Sequence, residues 1–151
     1  MSYLYLDAVV TKVYDLLRLD SRTSNLDWYN GRRTLDQMQK LPGGNVYLGP
    51  GNVLAYTMPG GEQAPFRVMV EIVYIDQAGA DKAEQEMRNG VDIVAEVLLE
   101  TARQGGSAGW DLGLTYAYPE GGLSWRTISS PAENTAMAEL GLDIRIIPTG
   151  S

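Results

Sequence analysis

The apolar residues of two stretches recur at the spacing of a helix. Residues three and four positions apart line one face of a helix and leave the polar residues outside it. The pattern predicts helices over about 3–19 and 80–103. Their apolar stripes consist of Leu6, Val9, Val10, Val13, Leu16 and Leu17 in the first and of Ala83, Met87, Val91, Val94, Leu98 and Ala102 in the second. The second stripe keeps its phase across Gly90, and we expect this glycine to let another backbone come close.

Alternation of apolar and polar residues marks the strands. It is strongest in FRVMVEIVYID, residues 66–76, where Val68, Val70 and Ile72 share one side. The same period predicts strands over 45–48, 52–58, 110–118, 123–128 and 138–146. Proline presets the first φ angle of a tight turn, and glycine accepts the positive φ angle that follows it. We therefore expect turns at Gly49-Pro50-Gly51, Pro59-Gly60-Gly61 and Pro119-Glu120-Gly121-Gly122.

Residues 20–44 carry a weaker pattern. Trp28-Tyr29-Asn30-Gly31 is typical of a turn with two large rings beside it, and Thr34 is placed to cap a short helix through Lys40. Large rings in turn-rich segments are hard to bury locally and often anchor a partner. The candidates for such partner contacts, with local packing as the alternative, are Trp28, Tyr29 and Tyr47.

The predicted elements follow the order α-β-β-β-α-β-β-β. Strands joined by short turns pair antiparallel, and helices can cover one face of the resulting sheet. We therefore expect an α+β fold in which the two main helices pack on one face of an antiparallel sheet. At 151 residues the chain suits a single domain over 1–151, large enough to bury a core without cross-links.

The composition excludes several kinds of chemistry. The chain has no histidine and no cysteine, which removes imidazole bases, catalytic triads built on histidine, thiolate nucleophiles and disulfides. Nineteen acidic residues against 12 basic ones give a net charge of −7, which argues against nucleic-acid binding as the main task. No apolar run approaches the ~20 residues that span a bilayer, and no signal peptide is recognisable. We expect an acidic, soluble domain made inside a cell.

Two features invite a catalytic interpretation. The glycine-rich stretches GGNVYLGPG and GGSAGWDLG lack the Gly-Lys-Ser/Thr ending of a phosphate loop and the strand-to-helix placement of a dinucleotide site. The densest carboxylate group comprises Asp76, Asp81, Glu84 and Glu86. A metal-dependent hydrolase would use the first three, but acids before a helix are also favoured by the helix dipole. We prefer the second interpretation and expect no catalytic residue, cofactor or metal.

The order of the elements carries a resemblance. An amphipathic helix is followed by turn-rich β segments, and FRVMVEIVYID leads through a short polar loop into ADKAEQEMRNGVDIVAEVLLETA. The last strand is AELGLDIRIIP. This arrangement, which covers nearly the whole chain, resembles the tail terminator (tail completion) family of long-tailed bacteriophages. A related neck or head-tail connector component fits it as well.

The resemblance implies a structural virion protein without catalytic activity, assembled in the host cytoplasm and located at the head-proximal end of the tail. It implies a homohexameric ring that caps the tail tube, stops its polymerisation and presents a surface for head-tail joining. The implied partners are other copies of the chain, the tail tube protein and the head-completion or connector protein, with no membrane. Genomic DNA would pass through the lumen without specific binding, and an acidic lumen would repel its phosphates.

One side of the FRVMVEIVYID strand faces away from the predicted helices and mixes apolar residues with both signs of charge. An uncovered sheet face is normally polar, whereas this mixture is typical of a subunit contact. In a head-to-tail ring it would meet a different patch of the neighbouring copy. A solvated face, or a groove for a small ligand or peptide, are the alternatives. The predicted contact residues are Arg67, Met69, Glu71, Val73, Ile75, Asp143 and Arg145.

Overall fold

The computed structural model describes residues 6–51, 66–76, 79–104, 110–112, 115–130 and 134–148. These ranges contain the α-helices α1 (Leu6–Leu19) and α2 (Ala80–Gln104) and a short 3-10 helix (Leu35–Gln37). The strands are β1 (Asp27–Asn30), β2 (Gly43–Gly51), β3 (Phe66–Ile75), β4 (Trp110–Asp111), β5 (Thr115–Ser130) and β6 (Thr135–Pro148). The α+β class and the order of helices and strands are confirmed. Neither of the two described α-helices is long and apolar enough to cross a bilayer.

The strands form one sheet in the order β1-β2-β3-β6-β5-β4. Its neighbouring strands are antiparallel, except that β1 and β2 run parallel. A parallel pair requires a crossover connection, which residues 31–42 supply here. The expectation of a wholly antiparallel sheet is therefore wrong at β1. The predicted turn at Trp28-Tyr29-Asn30-Gly31 is also wrong, because its first three residues belong to that strand.

Two predicted turns are irregularities inside strands. Gly49-Pro50-Gly51 lies within β2, whose register against β3 shifts there. Pro119-Glu120-Gly121-Gly122 lies within β5, whose register against β6 shifts at the same place. Glycine and proline are common at bulges as well as at turns, because both sites depart from regular strand geometry. Glycine and proline therefore predicted where the strands become irregular, but they did not distinguish a bulge from a turn.

Three further predictions meet different outcomes. The alternating run 110–118 is two strands, since β4 pairs antiparallel with Tyr116 and Ala117 of β5. The short helix after Thr34 is a single 3-10 turn, and Gln37 Oε1 accepts a hydrogen bond of 3.0 Å from the Thr34 N–H. The predicted strand 52–58 and the turn after it lie outside the described residues.

Both helices pack on one face of the sheet and share one core with it. The apolar stripe of α2 meets the even-numbered residues of β3 and β6, because alternate residues of a strand point to the same side. The stripe of α1 packs toward β1, β2 and α2. Full burial of one such aliphatic side chain contributes about 1.5–3 kcal/mol. The buried residues include Val9, Val13 and Leu17 of α1, Met87, Val94 and Leu98 of α2, Val68, Val70 and Ile72 of β3, and Leu140, Leu142 and Ile144 of β6.

α2 runs unbroken through Gly90, which is buried against the sheet. A Cβ atom at this position would lie 2.3 Å from the hydroxyl oxygen of Tyr74 and 3.0 Å from Cδ1 of Ile72. Side chains of β3 therefore require the glycine, and the expectation of a second backbone at this point is wrong. Burial raises the pKa of Tyr74 to about 12, in keeping with a phenol held between helix and sheet.

Candidate interface on the helix-free face of the sheet

The sheet face opposite the helices is here called the helix-free face. Its side chains come from odd-numbered residues of β2, β3 and β6 and even-numbered residues of β5, and the strand register aligns them in rows. The charged row consists of Arg126, Glu139, Glu71 and Asn45. The apolar row beside it consists of Ile128, Met137 and Val73. The unusual composition of the β3 strand is thus shared with its neighbours.

The charges of the charged row are paired within the chain. Arg126 Nη2 lies 2.7 Å from Glu139 Oε2, and Glu71 Oε1 accepts a hydrogen bond of 2.9 Å from Asn45 Nδ2. Arg32 spans the row, with its Nη2 3.4 Å from Glu71 Oε2 and 3.9 Å from Glu139 Oε1. Opposite charges on facing strands attract each other. The row therefore balances much of its charge without a partner chain.

The crossover between β1 and β2 covers part of this face. The Arg33 carbonyl accepts a hydrogen bond of 2.8 Å from Asn45 Nδ2. The Arg32 guanidinium lies 5.1 Å from the centroid of the Tyr47 ring, and that of Arg33 lies 4.1 Å from the centroid of the Tyr29 ring. Such cation–π contacts contribute about 0.5–1 kcal/mol each at exposed sites. The two adjacent arginines thus hold the crossover against the sheet.

The predicted contact residues of β3 and β6 lie in different environments. Glu71 and Val73 are 4% and 5% exposed, so the single chain already covers them. Arg67 faces Asp143 directly across the ladder, with 3.0 Å between Nε and Oδ1, and both side chains remain well exposed. The mixture of charges that suggested a subunit contact is therefore largely satisfied inside one chain.

The open part of the helix-free face is the end where β3 finishes. Ile75, Ile128 and Leu35 are 42%, 41% and 39% exposed there, and a cavity of about 430 Å³ lies between the crossover and the apolar row. We call these three residues the apolar end. Met69, farther along β3, is half-buried, and the side chain of Arg145 lies outside the described residues.

The three aromatic candidates divide into two groups. Trp28 is buried, its Nε1 donates a hydrogen bond of 2.8 Å to the Thr23 carbonyl, and its ring fills the space above Gly44. Local packing is therefore its role. Tyr29 and Tyr47 are half-buried under the two arginines, and burial raises the pKa of Tyr47. These two rings support the crossover and keep only part of their surface for a partner.

The carboxylates proposed for a metal site do not gather. Asp81 and Glu84 are exposed on the first turns of α2, while Glu86 shares a side-chain hydrogen bond with Asp76. Desolvation, followed by that hydrogen bond and the charge of Asp76, raises the pKa of Glu86. In the described part of the chain no group of three acidic residues is arranged to hold a metal ion. The observed contact joins the end of β3 to α2 instead.

No protein-family model and no curated protein matches the chain. Among solved structures, a chain from the virion of a native gene transfer agent (GTA) particle is similar to it. The identity is 20%, and the match covers 99% of this chain and 100% of the other at a TM-score of 0.56. The two chains share a fold. At this identity the likeness concerns the backbone, so the residues of the helix-free face must be argued from their own contacts.

Sequence reasoning missed several members of the helix-free face, among them Ile128 and Leu35 of the apolar end. Arg32, Asn45 and Arg126 come from separate segments, and only the strand register and the crossover bring them together. The available signal was the pair Arg32-Arg33, which is the only adjacent basic pair in an acidic chain. Two neighbouring cations in such a chain indicate nearby carboxylates, here Glu71 and Glu139.

Proposed function

We propose that this chain is a structural virion protein, a tail terminator that forms a homohexameric ring on the end of the tail tube. The ring would stop polymerisation of the tube and provide the surface for the head-completion or connector protein. The protein would lie at the head-proximal end of the tail after assembly in the host cytoplasm. Its role would be assembly, without catalysis.

The observation that carries the proposal is the fold shared with a chain of a virion. The match runs nearly from end to end of both chains, so it is a likeness of whole domains and not of one common supersecondary motif. The resemblance of the element order to the tail terminator family supports the same class of protein. The net charge of −7 further supports a lumen that repels DNA phosphates and lets the genome slide through.

The surface that best fits a contact between subunits of the ring is the apolar end of the helix-free face. Subunit contacts combine an apolar centre with a polar rim. Ile75, Ile128 and Leu35 would supply the centre, since they are the exposed apolar residues of this end. The exposed pair Arg67–Asp143 would lie in the rim with the neighbouring Met69 and Arg145. Glu71 and Val73 are buried and would support the contact surface without touching the neighbouring subunit.

Sedimentation and electron microscopy of the purified chain, alone and with tail tube protein, test the ring. We expect six-fold rings, and tubes that stop growing once the protein is added. Ile75→Asp should raise the concentration needed for half-assembly at least tenfold, because it places a charge in the apolar contact. Its unfolding midpoint should change little, since Ile75 is 42% exposed. Leu48→Asp is the matched control, at 44% exposure on the opposite side of the sheet.

The outcomes also separate the alternatives. Rings that form but leave tube growth unchanged would assign the chain to another neck or connector component. A chain that stays monomeric at high concentration and has no effect on tubes would overturn the proposal, and a module that binds a small ligand or peptide would then be the better interpretation. Equal losses of assembly in Ile75→Asp and Leu48→Asp would remove the apolar end from the contact.

A further inference from the structure

In the part of the chain that the structure describes, no strand lies beside the outer edge of β5 over half of its length. β5 pairs with β6 along Thr115–Ser130, but on its other side β4 pairs only with Tyr116 and Ala117. Among the described residues, no strand lies outside 123–130. An open edge of this kind presents a row of backbone N–H and C=O groups, and the natural complement of that row is another strand.

The features that usually protect an open edge are missing from this segment. Natural sheets guard their edges with proline, lysine or other charged side chains, or with very short strands. Residues 123–130 read LSWRTISS and contain neither proline nor lysine. The one charged residue, Arg126, directs its guanidinium to Glu139 across the β6 ladder. Trp125 is 65% exposed and Ile128 is 41% exposed, so this edge is both long and apolar.

A groove runs beside the same edge on the helix side of the sheet. It has a volume of about 480 Å³ and lies between α2 and β5, where Trp125 forms part of its wall. Its apolar lining includes Met87, Val91, Leu99, Leu123 and Trp125. A strand added outside β5 would bring its own packed helix next to this groove. The edge and the groove therefore fit one occupant, a strand with apolar helical surface above it.

The chain itself contains such an element at the other end of its sheet. β1 is the terminal strand there and pairs with β2. α1 contacts β1 and ends at Leu19, which is 68% exposed. In a head-to-tail ring, opposite sides of successive copies meet, and the rotation keeps all helices on the same side. One copy would thus present β1 and α1 to the edge and groove of the next.

We propose that β1 of a second copy docks on the open edge of β5, so that the sheet continues from one subunit into the next. This inference rests on the proposed ring and names the backbone contact that would close it. The exposed end of α1, including Leu19, would cover the groove beside Trp125. Each subunit would then pair its β1 with one neighbour and its β5 edge with the other, so that a closed ring has no free sheet edge.

Cysteine cross-linking tests this contact without background, because the chain has no cysteine. Asn30→Cys lies on β1 and Thr127→Cys on β5, and both positions are exposed. When the two variants are mixed under assembly conditions, a short bis-maleimide should join them to each other. Neither variant alone should cross-link. Circular dichroism of each variant checks that the fold is kept.

Hydrogen exchange of the unmodified protein provides a second measurement. The amides of 123–130 that do not bond to β6 should exchange at least tenfold more slowly in the ring than in the dilute monomer. Cross-linking of Thr127→Cys to itself would overturn the proposal, because it would indicate β5 against β5. Protection of the 123–130 amides that appears only after tail tube protein is added would also overturn the proposal. Rings that form without either signal would reject this contact and leave the proposed function intact, whereas absence of rings together with unchanged tube growth would reject both.

Discussion

The two faces of the sheet use the same strands in different ways. On the helix-covered face, Val68, Val70 and Ile72 of β3 are fully buried against helices and neighbouring strands. On the helix-free face, two charged residues of the same strand meet charged partners: Arg67 meets Asp143, and Glu71 meets Arg32. Burial of apolar area stabilises the first face. Register-matched charges and one crossing segment stabilise the second.

The difference teaches that mixed charge on a sheet face need not indicate a partner. Within FRVMVEIVYID, Arg67 has the opposite charge of Asp143 directly across the ladder, and Glu71 has that of Arg32 from the crossover above it. What remains for another molecule is apolar surface at the periphery, namely the apolar end and the open edge of β5. We therefore base the proposed interface on exposed apolar residues and not on mixed charge.

The largest effect is expected on the helix-covered face. Leu142→Ala removes a fully buried side chain and should lower the free energy of unfolding by about 2–5 kcal/mol, since both transfer and cavity terms apply. Leu123→Ala is the matched variant, because Leu123 faces Leu142 on the same side of the ladder but is only half-buried. Chemical denaturation of the monomer should show a clearly smaller loss for it.

The comparison of these two leucines also bears on the open edge. In the assembled ring, the difference between them should shrink, because Leu123 lines the groove that a neighbour is proposed to cover. Equal losses in the dilute monomer would contradict the gradient of burial from β6 to β5. They would mean that the single chain already covers β5 on its helix side.

A smaller effect is expected from the helix-free face. Glu71→Ala removes the carboxylate acceptor of Asn45 and leaves Arg32 with only the longer contact of 3.9 Å to Glu139. It should lower the free energy of unfolding by about 1–3 kcal/mol, as when a buried hydrogen-bonding group loses a partner. Glu71→Gln keeps an acceptor oxygen for Asn45 and loses only the attraction of Arg32. Urea denaturation should therefore place it between Glu71→Ala and the wild type.

Salt separates the two contributions in the Glu71 variants. Arg32 is well exposed, so its attraction to Glu71 is screened by added salt, whereas the hydrogen bond from the buried Asn45 is not. The gap between wild type and Glu71→Gln should close at high ionic strength, and the gap between Glu71→Gln and Glu71→Ala should persist. If neither difference in the free energy of unfolding changed with salt, the assigned role of Arg32 would be contradicted.

The parts of the fold that could be predicted are those with a long, unbroken period. α1, α2 and β3 each repeat one pattern for ten residues or more. Burial of the whole apolar stripe therefore determines which secondary structure these segments adopt. β1 escaped because four residues are too few to show a period. The bulges of β2 and β5 were predicted as turns because both structures favour glycine and proline.

The site was harder to predict than the fold because it depends on contacts between segments. Val73 belongs to the side of β3 that the sequence assigns to an interface, and yet the single chain covers it. The cover comes from the crossover 31–42, which exists only because β1 and β2 are parallel. Periodicity within β3 carries no information about that crossover, so the exposure of Glu71 and Val73 could not be predicted from it.

The smallest effect is expected from Glu86, a carboxyl group on the helix side that lies beside Asp76 and, with a weaker influence, Lys82. Desolvation and the neighbouring Asp76 raise the pKa of Glu86, so the folded chain binds this proton more tightly than the unfolded chain. The stabilisation is therefore complete below the ordinary glutamate pKa and is lost as pH rises through the raised pKa. Glu86→Gln keeps a hydrogen-bond donor toward Asp76 and carries no charge at any pH.

The free energy of unfolding of Glu86→Gln, measured relative to the wild type, should therefore increase as pH rises from about 4 to about 7. Asp92→Asn is the control for the loss of one carboxylate, since Asp92 is an exposed acid on the same helix. A difference for Glu86→Gln that stays flat would mean that Glu86 titrates like a solvated side chain. The contrast between Glu86 and the arginine-paired acids of the helix-free face would then be weaker than the contacts indicate.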